Sequence, residues 1–313
     1  MTASTTSRTS IAEVDVADQA GWWSREADAV RATLREQFDT DLSGADLTEP
    51  RDPAQLRERL RESAPGLTTI TDRIRSAFDD GGACAVLVPS LGVAGVEVDE
   101  QRKALYSFAS LLGDVMANHP MDTVVWDVRN RGLESETRVK ASDSDRSAGY
   151  HTDAGYLPTP PRFFLLYASH AAECGGGLSL LRDGRIVLDQ LRQTEEGREA
   201  IKALSQPVPR RVSSDLHHLA KIEEDGLQYA PVLGLDPLIW RWSKRRTREF
   251  SSPEVQQAID TVYELVKRGP GEFRLPIPTD GVMIFDNHVA MHARTGFTDQ
   301  RRNLFRIRFH DIP

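Results

Sequence analysis

The chain reads as a mainly β protein, an all-β sandwich or barrel core with helical decoration, and three observations predict it. Apolar runs of strand length recur at residues 83–89, 124–128, 163–168, 282–285 and 304–309. Helical periodicity is confined to the front of the chain and to one internal segment. Neither an internal repeat nor a heptad pattern is present, so the elements belong to a layered domain rather than a solenoid or coiled coil.

Taken in order, residues 1–20 are polar, rich in Thr and Ser near their start, and are expected to form a loose, disordered N-terminus. They lack the basic-then-apolar pattern of a signal peptide. Trp22, Ala29, Val30, Leu34 and Phe38 fall at helical spacing, predicting a helix over 21–38. Pro53 opens a second helix to about 62, and a third spans 69–80. Residues 98–112 carry an amphipathic helix stopped by Gly113. A polar stretch, 129–149, separates the strand at 124–128 from Tyr150; its length marks it as a functional or solvated loop, placed to cover the segment that begins at Tyr150. The run Gly175-Gly176-Gly177 has no following Lys and is read as a hairpin turn, not a phosphate loop. Helix signals return over 186–204, β-like alternation over 207–250, and a helix at 253–267 has Ser252 as N-cap and Pro253 in its first turn. Residues 273–278 form an edge-like strand.

This gives one domain over 21–313: a helical front at 21–80 and a β core from about 83 to 313, with an insertion at about 185–270. The 313-residue chain is long enough for a large core. Its net charge of −8 leaves no basic surplus for nucleic acid, and the absence of an 18-residue apolar run excludes a transmembrane helix. Cys84 and Cys174 make no disulfide framework, which suits a reducing cytoplasm. The expected partner is a small molecule, with neither nucleic acid nor membrane; the helical front could cover the core or join copies in a homo-oligomer.

The chemistry gathers at His151-Thr152-Asp153. On a strand, residues i and i+2 share a face, so His151 and Asp153 can close on one metal ion. A lone histidine is more often a surface or core residue than a ligand. A third donor is available downstream, His292 being the best candidate and His288 its competitor. Two histidines and one carboxylate with open positions form the ligand set of non-haem Fe(II) oxygenases. Arg302 and Arg306 follow in the same C-terminal segment.

These residues carry a resemblance. Tyr150-His151-Thr152-Asp153, Pro160-Pro161 before an apolar strand, the Gly-rich turn with Ser179, and Asp286-Asn287 through His292-Ala293-Arg294-Thr295-Gly296-Phe297 to Arg302 and Arg306 resemble the Fe(II)/2-oxoglutarate-dependent dioxygenases of the taurine and 2,4-dichlorophenoxyacetate dioxygenase group, in the clavaminate-synthase-like superfamily. The match spans roughly 112–310; the first hundred residues and the insertion match poorly. The resemblance implies a double-stranded β-helix (jelly-roll) core flanked by the N-terminal and inserted helices. It implies iron ligation by His151, Asp153 and His292, since the family's ligand directly precedes a small residue and Arg, which selects His292 over His288. It implies that Arg302 pairs with the distal carboxylate of 2-oxoglutarate, a bidentate task suited to guanidinium. Ser179 stands where the family often has a Thr donor. Arg306 would assist the cosubstrate or bind an acidic group of the substrate, the spacing of four placing both guanidiniums on one side of the strand.

The implied reaction couples Fe(II), 2-oxoglutarate and O2 to oxidation of an unactivated C–H bond. Related halogenases replace the carboxylate ligand by a small residue; the intact Asp153 therefore points to hydroxylation, desaturation or oxidative ring closure. For the substrate, the candidate contacts are Arg306, Tyr156, Asn118, Trp240 and Arg241, with Trp242 beside them; buried tryptophans are more often core than pocket wall. A small carboxylate-bearing metabolite, an amino acid or an amino-acid-derived natural-product intermediate, is expected. The alternatives are a taurine- or aryloxyacid-type catabolic dioxygenase, or a metalloenzyme on the same barrel that needs no 2-oxoglutarate. His119, His170 and His310 are read as structural, His217-His218 as exposed, and Arg294 as a salt bridge orienting its strand.

Overall fold

The computed structural model describes residues 10–80, 82–118, 122–132 and 141–311. Strand β1 (Ile11–Glu13) opens it, followed by helices α1 (Trp22–Phe38), α2 (Pro53–Ser63) and α3 (Pro65–Asp79). Strand β2 (Ala85–Val88), helix α4 (Val98–Leu112) and strands β3 (Asp114–Met116), β4 (Trp126–Val128), β5 (Ala148–His151), β6 (Phe163–His170) and β7 (Ser179–Asp183) come next. The insertion holds α5 (Gly184–Arg192), α6 (Glu195–Leu204), β8 (Pro207–Arg211), β9 (Leu227–Pro231), β10 (Leu233–Leu235), β11 (Leu238–Trp240), α7 (Lys244–Thr247) and α8 (Pro253–Arg268). Strands β12 (Glu272–Leu275), β13 (Val282–Asp286), β14 (Ala290–Arg294) and β15 (Asn303–His310) close the chain.

Two sheets carry the core. The larger runs β1-β2-β13-β6-β15-β3, with β4 also on β15; the smaller runs β12-β7-β14-β5. Alternation along β15 shows how the larger sheet is used. Phe305, Ile307 and Phe309 enter the cluster that joins this sheet to α1–α4, together with Trp22, Leu56 and Phe108. Leu304 enters the cluster between the sheets, with Phe164, Met283 and Phe285 of the larger sheet and Leu181 and Ala290 of the smaller. A period of two sends each strand's side chains to both layers, so the helical front covers one face and the smaller sheet the other.

Several elements differ from expectation. The loose N-terminus is corrected from residue 10 onward: β1 pairs in parallel with β2, Ile11 opposite Ala85, and buried Ser10 donates to Asp183 Oδ2 at 3.0 Å. An edge strand takes its backbone bonds from a partner distant in sequence, and three residues are too few for a periodic signal. Helix α3 starts four residues earlier than expected because Pro65 fits the first helical turn. The 186–204 segment is two helices, with Thr194 capping the second by accepting from the Gly197 N–H. The Gly175–Gly177 turn closes no hairpin: β6 and β7 lie in different sheets, and the turn carries the chain between them. The insertion has its own apolar cluster, in which Trp240 and Trp242 pack with Leu191, Leu204 and Ile259. Among the described residues, no helix is long and apolar enough to cross a membrane. His119 and residues 133–140 of the expected covering loop, 129–149, lie outside the described residues.

Candidate metal centre

His151 is the last residue of β5 and sits directly opposite His292 of β14. Opposed residues on neighbouring strands point to the same face, and the two imidazole rings lie 4.2 Å apart. Asp153 is not on the strand, as expected, but in the turn just past it. Alternation nevertheless carries through. Thr152 points away into the insertion, where its Oγ1 donates to Trp240 O at 3.0 Å and accepts from the Trp242 N–H at 2.9 Å; Asp153 turns back toward the histidines.

Asp153 Oδ1 stands 3.5 Å from His151 Nε2 and 3.6 Å from His292 Nε2. Those separations are long for hydrogen bonds, while one ligand atom from each residue lies within 4.8 Å of the others. His151 Nδ1 faces the Gly149 carbonyl at 2.9 Å. A carbonyl only accepts, so the ring proton belongs on Nδ1 and the Nε2 lone pair faces inward. Asp153 Oδ2 is taken by two cations, Arg308 Nε at 2.9 Å and Arg306 Nη1 at 3.2 Å.

Electrostatics match that geometry. Burial alone would raise the Asp153 carboxyl, but Arg308, Arg306 and the imidazoles hold it well below the usual carboxylate range. Burial and the neighbouring His151 push His292 down to about 4, so its imidazole is neutral at pH 7. Two imidazole nitrogens and one carboxylate oxygen on one face are donors that fit a divalent metal ion of the non-haem iron type. His288 is not among them: its Nε2 faces Pro160 O at 3.2 Å. No other group of metal-ligating side chains gathers among the described residues.

Arg302 lies just before β15 rather than on it, 4% exposed, its guanidinium over the Phe297 ring at 4.7 Å. No carboxylate pairs with it among the described residues, and its Nη1 is buried without a hydrogen-bond partner. Burial, with Arg294 nearby, pushes the guanidinium down to about 9. The group stays charged at neutral pH, and no carboxylate among the described residues neutralises it. Gly177 lets it approach: a Cβ there would lie 2.8 Å from Arg302 Nε. Ser179, also buried, starts the neighbouring β7 opposite Arg294.

The remaining expected residues divide. Arg306 reaches Asp153, and its Nη2 lies 3.5 Å from Asn118 Oδ1. Burial raises the Tyr156 phenol, with Arg308, Asp153, Arg246 and Arg306 the charges that act on it. Arg241 donates to Pro158 O at 3.1 Å, bracing the turn after Asp153. Trp240 is corrected from pocket wall to core: it is 1% exposed and its indole donates to Gly184 O. Arg294 makes no salt bridge among the described residues; it donates to the Ser144 and Arg146 carbonyls, both at 2.6 Å, holding the end of the 129–149 segment against β14. Two residues at the site were missed by sequence reasoning, Arg308 and Asn287. Arg308 had a signal, since it alternates with Arg306 around Ile307.

Two packed sheets, with a His/Asp/His set built from the smaller one and the turn that follows its strand β5, define a mononuclear non-haem iron oxygenase. The chain belongs to the taurine catabolism dioxygenase TauD, TfdA family, whose model matches residues 34–308; it is an Fe(II)/2-oxoglutarate-dependent dioxygenase. Solved structures share its fold. Asparagine oxygenase in complex with Fe(II), 3-hydroxyasparagine and succinate superposes with a TM-score of 0.66 at 18% identity, covering 96% of this chain and 93% of that one. The non-haem iron oxygenase OrfP with Fe and alpha-ketoglutaric acid gives 0.63 at 16% identity, covering 96% and 94%. No curated protein matches the chain in sequence.

Proposed function

We propose that this protein oxidises an unactivated C–H bond of a small carboxylate-bearing metabolite, an amino acid or an amino-acid-derived intermediate, on a double-stranded β-helix core. When bound, Fe(II) and 2-oxoglutarate supply the oxidant: O2 is consumed, 2-oxoglutarate leaves as succinate and CO2, and for hydroxylation one oxygen atom is inserted into the C–H bond. The chain's residues make that possible without taking part in the bond changes. His151 and His292 would hold the metal through Nε2, and Asp153 through Oδ1 while Arg308 and Arg306 occupy Oδ2. Arg302, with the Ser179 hydroxyl, binds the distal carboxylate of the keto acid. Arg306 and Arg308, held on Asp153 Oδ2, offer positive charge next to the ligands for an acidic group of the substrate, with Tyr156 a further candidate contact. Two solved proteins of this fold hold hydroxylated amino acids, asparagine oxygenase with 3-hydroxyasparagine and OrfP with (3S)-hydroxy-L-Arg, which supports an amino-acid substrate here.

The observation that carries this reading is the buried Arg302, whose Nη1 has no hydrogen-bond partner among the described residues, in a chain that also assembles the His/Asp/His set. A buried cation without an anion is costly unless a ligand provides one. The test is anaerobic addition of Fe(II) and 2-oxoglutarate, with the visible charge-transfer band as readout. Free amino acids, taurine and an aryloxyacetate are then screened for perturbation of the band and for substrate-dependent succinate release. No band with Fe(II) demonstrably bound sinks the cosubstrate assignment; a response to taurine or the aryloxyacetate alone redirects the substrate.

A further inference from the structure

Beyond its ligands, the metal centre depends on how the Asp153 turn is held. Strand β5 ends at His151, so no ladder positions the peptide of Asp153. Every backbone N–H and C=O buried there still requires a partner. Both groups of Asp153 go to one side chain: its N–H donates to Asn287 Oδ1 at 2.7 Å, and its carbonyl accepts from Asn287 Nδ2 at 3.0 Å. The same Nδ2 donates to Pro161 O at 2.9 Å. The Asn287 N–H itself donates to Arg162 O at 2.6 Å. The orientation of this carboxamide is fixed by chemistry, because a flipped amide would set its donor against an N–H and its acceptor against two carbonyls.

We propose that Asn287 is a positioning residue for metal ligation: its carboxamide replaces the missing strand pairing and sets where the Asp153 carboxylate points. Two further observations support it. Ala154, the next residue, has φ +50°, a left-handed conformation that L side chains rarely adopt and that persists only where the surroundings impose it. Asn287 also sits in the turn between β13 and β14, five residues before His292 in the chain. The turn that carries the chain from the larger sheet into β14, the strand of the second histidine, thereby also clamps the carboxylate's backbone, tying together two ligands that are remote in sequence. Asn287 is 1% exposed, and among the described residues its carboxamide hydrogen-bonds the Asp153 peptide and Pro161 O but no ligand side chain, so its action runs through the Asp153 backbone.

The proposal rests on Asp153 being a ligand, which the Fe(II) affinity of the unmodified protein tests separately. The test of the clamp compares Asn287→Asp and Asn287→Ser with Asp280→Asn. Asp280 is a similarly buried hub at the opposite end of β13, accepting from the Gly92 and Val93 N–H groups at 2.8 and 3.0 Å. Asn287→Asp keeps volume and the acceptor but removes the donors. Its Fe(II) dissociation constant is expected to rise about 10–100-fold, the usual cost of losing an outer support, with a weakened or shifted Fe(II)–2-oxoglutarate band. Asp280→Asn, losing comparable thermal stability, is expected to retain the unmodified affinity and band. Asn287 variants that bind Fe(II) as tightly as the unmodified protein overturn the proposal. Should they not fold, amide exchange in the metal-free unmodified protein decides: a protected Asp153 N–H supports the clamp, and fast exchange that slows only when metal is added overturns it.

Discussion

Arg308 donates through Nε to Asp153 Oδ2 at 2.9 Å, on the oxygen opposite the one that faces the two imidazoles. With Arg306 on the same oxygen, the carboxylate is divided into a cation-bound side and a metal-facing side. Arg308→Gln removes a charge-assisted bond from a carboxylate that is 5% exposed. The metal-free protein is expected to lose about 1.5–3 kcal/mol, read by urea unfolding. A variant of unchanged stability would mean that Arg306 alone satisfies Oδ2.

Arg302 predicts the opposite sign for stability. Its charge is buried without a carboxylate partner among the described residues, so Arg302→Met relieves a desolvation cost in the metal-free protein. The melting temperature is expected to hold or rise. The loss appears in 2-oxoglutarate binding instead: removing one partner of a buried charge pair costs about 2–5 kcal/mol, a roughly thirtyfold or greater rise in KM. Unchanged KM for 2-oxoglutarate, with Fe(II) still bound, would remove Arg302 from the cosubstrate site.

Thr152 ties the insertion to the metal turn. Thr152→Val keeps shape but strips the hydroxyl that serves both Trp240 O and the Trp242 N–H. Leaving those buried groups unpaired is expected to cost about 1–3 kcal/mol, measured by chemical denaturation. An unperturbed variant would show that the insertion packs against the site without anchoring it.

How much of the fold and site is legible in the sequence depends on the range of each signal. His151 and His292 are visible as residue types, and β15 as a period-two pattern. Arg308 is equally visible in that pattern, yet the spacing of four between Arg302 and Arg306 draws attention away from it. The structure reverses that emphasis, since Arg302 precedes the strand while Arg306 and Arg308 share its face. Asn287 has no local mark of its role, because its partner Asp153 lies 134 residues away and a side chain that substitutes for strand pairing leaves no periodicity. The same holds for β1, whose pairing with β2 is non-local. Trp240 and Trp242 fall in the right segment, but burial decides between core and pocket wall, and burial depends on what packs opposite.

Cys174 provides a pH prediction. Its exposed thiol accepts from the backbone N–H groups of Thr298, Gly176 and Asp299, which lower it to about 7. A depressed pKa favours the thiolate, the reactive form, at lower pH. Alkylation by iodoacetamide is therefore expected to rise with pH to half its plateau near pH 7. Cys84, whose thiol burial pushes well up, is an internal unreactive control. A midpoint near the ordinary thiol value would mean the N–H cradle does not form in solution.

Gly177 and Gly175 separate backbone strain from crowding of Arg302. Both adopt positive φ, +70° and +74°, so an alanine at either position carries a similar left-handed penalty of about 1–2 kcal/mol. Their surroundings differ. A Cβ on Gly175 meets nothing within 4 Å, whereas one on Gly177 lies 2.8 Å from Arg302 Nε and 3.1 Å from its Cδ. Gly175→Ala is expected to lower stability with KM for 2-oxoglutarate unchanged. Gly177→Ala is expected to lower stability comparably and also to raise that KM severalfold, because the guanidinium must shift by several tenths of an ångström in a buried site where hydrogen-bond geometry sets its strength. Equal KM values in the two variants, measured at saturating Fe(II), would show that the glycine turn does not position Arg302.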